Sequence, residues 1–320
     1  MEQRRNFIAI ILICIIVVLT PKWMSLFAPN ENFSTEKVLL EAPQNDSFVE
    51  KVSKKTTSSY SNNKEQTIVI STDLFIATIS NQSGGSLTSY KLKKFTGSFD
   101  VNQNYSDSAY VELINNGNAS GCMPCISLNS GFENEAVYFN DFFSYSGNDS
   151  IFVSGDDSHS LYFNFTSSDN KTIKKTITIT GNSYSLDHSF SFDNFDFNYS
   201  DKIILSWLDG LLPTEKIESE DIQNASFVAN IGKDYEKFYY TNEDSVNYES
   251  IIGKASWVGI NNKYFLMSLM PENNVYSIGH SYKSLSFKNR KVTPAYSAFV
   301  SFSPSNIFTL SSKVYLGPLE

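Results

Sequence analysis

Cysteine, histidine, glycine and proline are all scarce in this chain of 320 residues, which has 3, 3, 15 and 9 of them respectively. So little Gly and Pro excludes a collagen-like or low-complexity polymer and indicates a globular protein. Basic residues are also few, 25 Lys and Arg against 34 Asp and Glu, and the formal net charge is −9. Because nucleic-acid affinity comes from neutralising phosphates, we expect no nucleic-acid partner.

The shortage of cysteine also restricts metal and redox chemistry. Cys14 lies within an apolar run, so Cys122 and Cys125, in Cys-Met-Pro-Cys, are the pair that could act chemically. A C-x-x-C pair can be a redox dithiol, half of a zinc site or a small disulfide loop. No second pair has ligand spacing, and this pair follows an Asn/Gly/Ser-rich stretch. We therefore expect no metal and no cofactor, and favour a structural disulfide or incidental thiols over a redox role.

Apolar runs long enough to cross a membrane are absent after residue 28, but one lies before it. Arg4 and Arg5 precede an unbroken apolar run at 7–19, and its extension to residue 27 gives 21 residues. A helix of that length spans roughly 31 Å, which matches a hydrocarbon core of about 30 Å. We predict a cytoplasmic N-terminus and a transmembrane anchor within residues 1–28.

A cleaved secretory signal peptide is the alternative for this segment. Cleavage needs small residues at −3 and −1 and a permissive residue after the cut. The best candidate, Ala28, has Leu26 at −3 and is followed by Pro29, which favours an uncleaved anchor. Because Arg4 and Arg5 precede the span, the positive-inside rule places the rest of the chain outside the cytoplasm.

Two different regions follow the predicted anchor. Residues 29–64 are polar without a sustained period, which is typical of a flexible tether. Residues 65–320 carry short runs of period two separated by Asn, Gly, Asp and Ser, which predict one domain of successive β-strands. The runs at 74–80 and 87–93, on either side of a glycine-containing turn at 81–86, predict a β-hairpin.

The alternation is clearest at 183–192, where aromatic, Leu and His side chains face one side while Ser and Asp face the other. Similar stripes occur at 171–180, 202–208 and 296–302. Half-buried strands have this pattern, and no stretch of the exported part has a sustained helical period. We predict an all-β fold with two packed antiparallel sheets.

Five segments are recognisable in order along the chain: Gln3-Arg-Arg-Asn6, then 72–92 with its Asn-Gln-Ser-Gly-Gly-Ser turn, 174–184, 256–266 and Val314-Tyr-Leu-Gly-Pro318. Together they resemble the N-terminal region of the YidC membrane protein insertase family. The resemblance implies a galactose-mutarotase-like β-supersandwich in the periplasm, attached to the first transmembrane helix at the bacterial inner membrane. It also implies a part in inserting and folding membrane proteins, alone or beside the Sec translocon.

The chain departs from that family at its C-terminus. In the family, the Leu-Gly-Pro segment leads into five further transmembrane helices with the insertion groove and its positively charged Arg, whereas this chain ends at Glu320. We therefore expect the insertase core to be absent, as in a fragment, a split form or a remnant. The expected partners are the lipid bilayer, nascent membrane proteins and subunits of the Sec translocon.

Catalytic residues are not expected, since an insertase lowers the cost of moving polar loops through hydrocarbon and needs no covalent chemistry. The alternative is a membrane-anchored periplasmic sugar-binding or mutarotase-like protein, which would need a His and a Glu that converge on a sugar. His188 lies on an apolar strand face, which favours a core or cleft histidine. His159 and His280 lie in Ser-rich or Gly-flanked sequence and are predicted at the surface.

Aromatic and glycine residues offer two further candidates. Trp257, Tyr264 and Phe265 are predicted to pack in the core, on two strands joined by a turn at 259–263. The alternative is that their side chains form one wall of a ligand-binding site. Gly84 and Gly85 have no strand-then-helix context for phosphate binding, so they are predicted to form a turn.

Overall fold

The computed structural model describes residues 63–99, 105–114, 121–130, 135–208, 210–216, 220, 223–239, 249–252, 255–287, 290–305 and 308–319. The predicted anchor at 1–28 and all but the last two residues of the predicted tether lie outside them. Among the described residues, no helix has the length and apolar character needed to span a bilayer.

The described residues form nineteen β-strands. Their bounds are β1 Thr67–Ser71, β2 Phe75–Ser80, β3 Ser86–Phe99, β4 Tyr105–Glu112, β5 Cys125–Ser130, β6 Glu135–Tyr138, β7 Ser150–Phe152, β8 Ser158–Thr166, β9 Thr172–Thr180, β10 Ser185–Asp193, β11 Lys202–Trp207, β12 Ser226–Ile231, β13 Asp234–Phe238, β14 Glu249–Ile252, β15 Ala255–Asn261, β16 Phe265–Pro271, β17 Ser277–Phe287, β18 Arg290–Phe302 and β19 Thr309–Pro318.

These strands form three hydrogen-bonded sheets. The five-stranded sheet has the order β4-β3-β2-β1-β7, the eight-stranded sheet β13-β12-β15-β16-β19-β10-β9-β8 and the six-stranded sheet β14-β17-β18-β11-β5-β6. Neighbouring strands are antiparallel except for the parallel pair β1 and β7. The all-β, antiparallel supersandwich prediction is confirmed.

Strand alternation places the core as the sequence predicted. On β10 the side chains of Leu186, His188, Phe190 and Phe192 are buried, while their neighbours along the strand are exposed or half-buried. Hydrophobic burial contributes roughly 25 cal/mol per Å² of apolar surface, so this face determines which way the strand packs. The hairpin prediction is also confirmed, with Phe75 opposite Leu92 in the register of β2 and β3.

The eight-stranded and six-stranded sheets pack face to face. The ring of Phe227 on β12 stacks on His280 of β17 with 4.5 Å between ring centroids. The hydroxyl of Tyr296, on β18, donates to the backbone oxygen of Ala225 over 3.4 Å. The five-stranded sheet is a third sheet beside the predicted pair. It was not predicted because alternation identifies a strand's buried face but not its partners from distant parts of the chain.

Candidate functional site

The turn between β2 and β3 packs directly against the eight-stranded sheet. Gly84 and Gly85 have φ angles of +69° and +101°, in the region that favours glycine. A Cβ atom on Gly85 would lie 2.6 Å from Cδ1 of Ile177 and 2.9 Å from Cε2 of Phe163. The predicted turn is confirmed, and its glycines also allow a close approach to β8 and β9.

Lys175 of β9 lies beneath this turn and is only 1% exposed. Its Nζ atom donates hydrogen bonds to three backbone oxygens, those of Ser83 at 3.4 Å, Gly85 at 3.2 Å and Pro124 at 3.3 Å. The same Nζ lies 5.0 Å from the ring centroid of Phe190. Three carbonyl dipoles and an aromatic face thus stabilise a cation inside the core.

The sequence analysis did not single out Lys175, although a signal was present. The predicted core stripe of β9 included Ile173 and Ile177, and position 175 lies between them with the same period-two spacing. A lysine on an apolar stripe points either to an edge of the sheet or to a buried ammonium with backbone partners.

Burial dominates the electrostatics of this cluster. It lowers the pKa of Lys175 to about 7. Burial, reinforced by the charge of Lys175, lowers the pKa of His188 well below 6.5. His188 lies on the neighbouring strand and is 2% exposed, and neither ring nitrogen has a hydrogen-bond partner among the described residues. Both side chains are almost fully enclosed by the core, at 1% and 2% exposure.

Cys122 and Cys125 are joined by a disulfide bond, with 4.4 Å between their Cα atoms. Their side chains are 2% and 1% exposed. Of the three interpretations of the C-x-x-C pair, the structure has the small disulfide loop. This loop lies next to Lys175, whose ammonium binds the oxygen of Pro124.

The three histidines occupy different environments. His188 is a core histidine, as the apolar face of its strand favoured, and His159 is exposed on β8 as predicted. The surface prediction for His280 is wrong: it is 4% exposed and lies between the rings of Phe227 and Phe238, at centroid distances of 4.5 and 4.6 Å. Its Gly-flanked local sequence did not reveal that two distant aromatic residues close over it.

The segment around Trp257 contributes to the core less uniformly than predicted. Phe265 is 3% exposed, whereas Trp257 is half-buried and Tyr264 is 48% exposed. The observed turn lies at 262–264, so Gly259 belongs to β15. Asn262 shapes this turn, because its Oδ1 accepts hydrogen bonds from the backbone NH groups of Tyr264 and Phe265.

An ion-pair cluster holds the same turn to the segment between β11 and β12. Nζ of Lys263 lies 2.6 Å from Oε2 of Glu220 and 3.3 Å from Oε1 of Glu215. The hydrogen bond that Lys263 donates to Glu220 raises the pKa of Lys263. No group of three or more potential metal ligands occurs in the part of the chain that the structure describes.

A shallow polar depression lies on the outer face of the eight-stranded sheet, with a volume of about 110 Å³. It is lined by Thr176, Thr178, Asp187, His188, Ser189, Glu272, Ser311 and Ser312. Asp187 accepts a hydrogen bond from Lys313 over 2.6 Å, so that carboxylate is already paired. Glu272 and His188 both line this depression, but His188 is only 2% exposed.

The fold and these contacts define an antiparallel β-supersandwich domain in which a buried lysine and a small disulfide loop meet where the three sheets join. The chain belongs to the YidC periplasmic domain family, whose model matches residues 67–320. The recognition of this family from the five ordered segments is confirmed.

Curated relatives named "Membrane protein insertase YidC" support the same assignment. The protein from Chlorobium phaeovibrioides is 30% identical over 271 residues, 82% of this chain and 44% of its own length. The protein from Chlorobaculum parvum is 26% identical over 336 residues, which covers 99% of this chain and 54% of the relative. The chain therefore spans about half the length of the curated relatives it matches.

Solved structures show more distant likenesses. A putative aldose 1-epimerase from Escherichia coli aligns over 80% of this chain and 99% of its own, with a TM-score of 0.46 and 6% identity. An α-galactosidase from Lactobacillus brevis aligns over 79% of this chain and 39% of its own, with a TM-score of 0.41 and 10% identity. Since both scores lie below 0.5, neither likeness supports a functional argument.

Proposed function

We propose that this chain is the membrane anchor and periplasmic domain of a membrane protein insertase. The observation that carries the proposal is the match of the YidC periplasmic domain family over residues 67–320, together with insertase relatives that align over as much as 99% of the chain. The insertion groove itself would be supplied by a segment or a partner outside these 320 residues.

The proposed arrangement has three parts. Residues 1–28 contain a helix that crosses the inner membrane with its N-terminus in the cytoplasm, because Arg4 and Arg5 precede the apolar run. Residues 29–64 form a tether, and residues 65–320 form the periplasmic domain. The bond between Cys122 and Cys125 supports this location, since disulfides persist in the periplasm and are rare in the cytosol.

The domain's role is to dock and position partners rather than to catalyse a reaction. An insertase must reduce the free-energy cost of moving polar groups through hydrocarbon, which needs a protected path and no covalent chemistry. The buried basic side chains support this role, because Lys175 binds backbone oxygens and His188 is enclosed in the core. The proposed partners are the bilayer, nascent membrane proteins and subunits of the Sec translocon.

Affinity purification from membranes tests the proposal. A tagged chain should recover Sec translocon subunits or nascent membrane proteins. A matched control joins residues 1–28 to an unrelated periplasmic protein. Proteins that are recovered with this control bind the anchor alone and are not counted as partners of the domain. Recovery of the same proteins with the control and the chain would contradict a docking role for the domain.

A further inference from the structure

The disulfide loop at 121–125 is held by all three sheets at once. From the five-stranded sheet and its turn, Ser83 Oγ donates to the Gly121 oxygen over 2.5 Å, and Ser86 Oγ accepts from the Met123 amide over 3.0 Å. The backbone NH of Leu87 also donates to the Met123 oxygen over 2.9 Å.

The other two sheets bind the same loop. From the eight-stranded sheet, Lys175 Nζ donates to the oxygen of Pro124 over 3.3 Å. From the six-stranded sheet, the backbone NH of Leu208 donates to the oxygen of Cys122 over 3.0 Å, and Cys125 pairs with Ser206 in the ladder of β5 and β11. The loop is thus a junction that is complete only when the three sheets have come together.

The two sulfur atoms are enclosed by this junction. With side chains 2% and 1% exposed, Cys122 and Cys125 cannot be reached by another protein's thiol or disulfide while the sheets are closed. Thiol–disulfide exchange requires direct attack of a thiolate on a sulfur atom, so access decides whether it occurs. The bond must therefore form before the junction closes.

We propose that Cys122 and Cys125 are a modification site for a disulfide-bonded thiol oxidoreductase, which oxidises them on the open chain before closure of the three sheets seals the bond. One cysteine thiolate attacks the oxidant's disulfide, forms a mixed disulfide and releases one oxidant thiolate. The second cysteine thiolate then attacks the mixed disulfide and releases the other. The cysteines lose two electrons and two protons, and the oxidant's disulfide becomes a dithiol.

This inference rests on the proposed function in one respect, since such an oxidant is met outside the cytoplasm. The sealing of the bond depends instead on the hydrogen bonds of the junction. Each hydrogen bond removed from a buried loop should favour local opening by about 5-fold, which corresponds to roughly 1 kcal/mol.

Reduction kinetics of the full chain in detergent test the sealing. In a Cys14→Ser background, dithiothreitol is added and free thiols are counted over time by alkylation and mass spectrometry. The disulfide should be reduced at least 100-fold more slowly in native buffer than in urea. The double substitution Ser83→Ala and Ser86→Ala should accelerate native reduction at least 10-fold, whereas Ser158→Ala, on the exposed edge strand β8, should leave it within 2-fold.

Two results would overturn the sealed site. One is reduction in native buffer as fast as in urea. The other is a Ser83/Ser86 variant no faster than the Ser158 control. Either would show that the sulfur atoms are reached without opening of the junction.

Alkylation trapping in cells tests the oxidation step separately. The chain from a bacterial host should carry the disulfide, whereas a variant lacking residues 7–19 should retain two reduced thiols. Equal oxidation of both chains would exclude an oxidant met on export. If protease treatment shows that the chain is exported yet reduced, the modification site is wrong and the proposed function stands. If the chain is not exported, the proposed function fails while the reduction kinetics still decide the sealing.

Discussion

The ammonium group of Lys175 donates a hydrogen bond to the backbone oxygen of Gly85 over 3.2 Å, and this contact joins β9 to the turn between β2 and β3. Gly85 can approach this closely because it has no Cβ, and Lys175 supplies a donor that a neutral aliphatic residue could not. The turn connects two strands of the five-stranded sheet and Lys175 lies in the eight-stranded sheet, so the contact helps to fix these two sheets against each other.

Lys175 should make the stability of the domain depend on pH. Its pKa is about 7 in the folded protein and near 10.5 when unfolded, so between these values the unfolded state binds more protons. Stability should therefore rise as pH increases from 7 towards 10, by at most about 1.4 kcal/mol per pH unit. Urea unfolding at several pH values checks this, with Lys175→Met expected to lose the rise and Lys174→Met, which is exposed, expected to retain it. Parallel curves for all three chains would contradict the low pKa.

His188 should destabilise the domain in acid. Burial and the charge of Lys175 hold its pKa well below 6.5, so the unfolded state takes up a proton first as the pH falls. The free energy of unfolding should decrease below about pH 6.5, by up to about 1.4 kcal/mol per pH unit. The variant His188→Leu should show a smaller decrease between pH 6.5 and 5 in thermal unfolding. His159→Gln is the matched control at an exposed histidine, and an equal response of the two variants would contradict the assignment.

Gly85 should tolerate no side chain. An alanine here would have to adopt a left-handed φ angle, and its Cβ would lie 2.6 Å from Cδ1 of Ile177. We expect the substitution Gly85→Ala to lower the free energy of unfolding by about 2–4 kcal/mol. Gly155 is the matched control, since its φ of +56° is also left-handed but nothing lies within 4 Å of an added Cβ. Gly155→Ala should cost only about 1 kcal/mol. Equal losses in denaturant titrations would show that the turn does not pack on β8 and β9.

The disulfide should stabilise the domain modestly. It closes a short loop between Cys122 and Cys125, and the loss of chain entropy for so small a loop corresponds to about 2 kcal/mol. Replacing both residues by Ser should lower the free energy of unfolding by about that amount, whereas Cys14→Ser should not change it. A double variant as stable as the parent protein would show that the loop is fixed by its hydrogen bonds alone.

The fold was largely predictable because its information is local. The alternation from Leu186 to Phe192 predicts the strand, its buried face and its solvent-facing side within one short segment. The glycine pair at 84–85 likewise specifies its turn, since left-handed φ angles favour glycine. These features depend on neighbours in sequence, which is why the strands and the hairpin were found.

The site was less predictable because it depends on distant contacts. Lys175 is bound by oxygens from residues 51 to 92 positions away, and no local pattern records that they converge. His280 was misplaced for the same reason, as Phe227 and Phe238 lie far from it in sequence. From the sequence, the C-x-x-C pair could be a redox dithiol, half of a zinc site or a disulfide loop. The structure shows the disulfide loop, enclosed where the three sheets meet.

Site-specific proteolysis in spheroplasts tests the central claim, that the β-domain lies outside the cytoplasm on a single anchor. A protease recognition site is inserted beside Gly232, in the exposed turn between β12 and β13 where an added side chain meets nothing within 4 Å. A second site is placed before Arg4. Protease added outside should cut the turn in intact spheroplasts and the N-terminal site only after lysis. Cleavage at the turn only after lysis, or at Arg4 before it, would contradict the account.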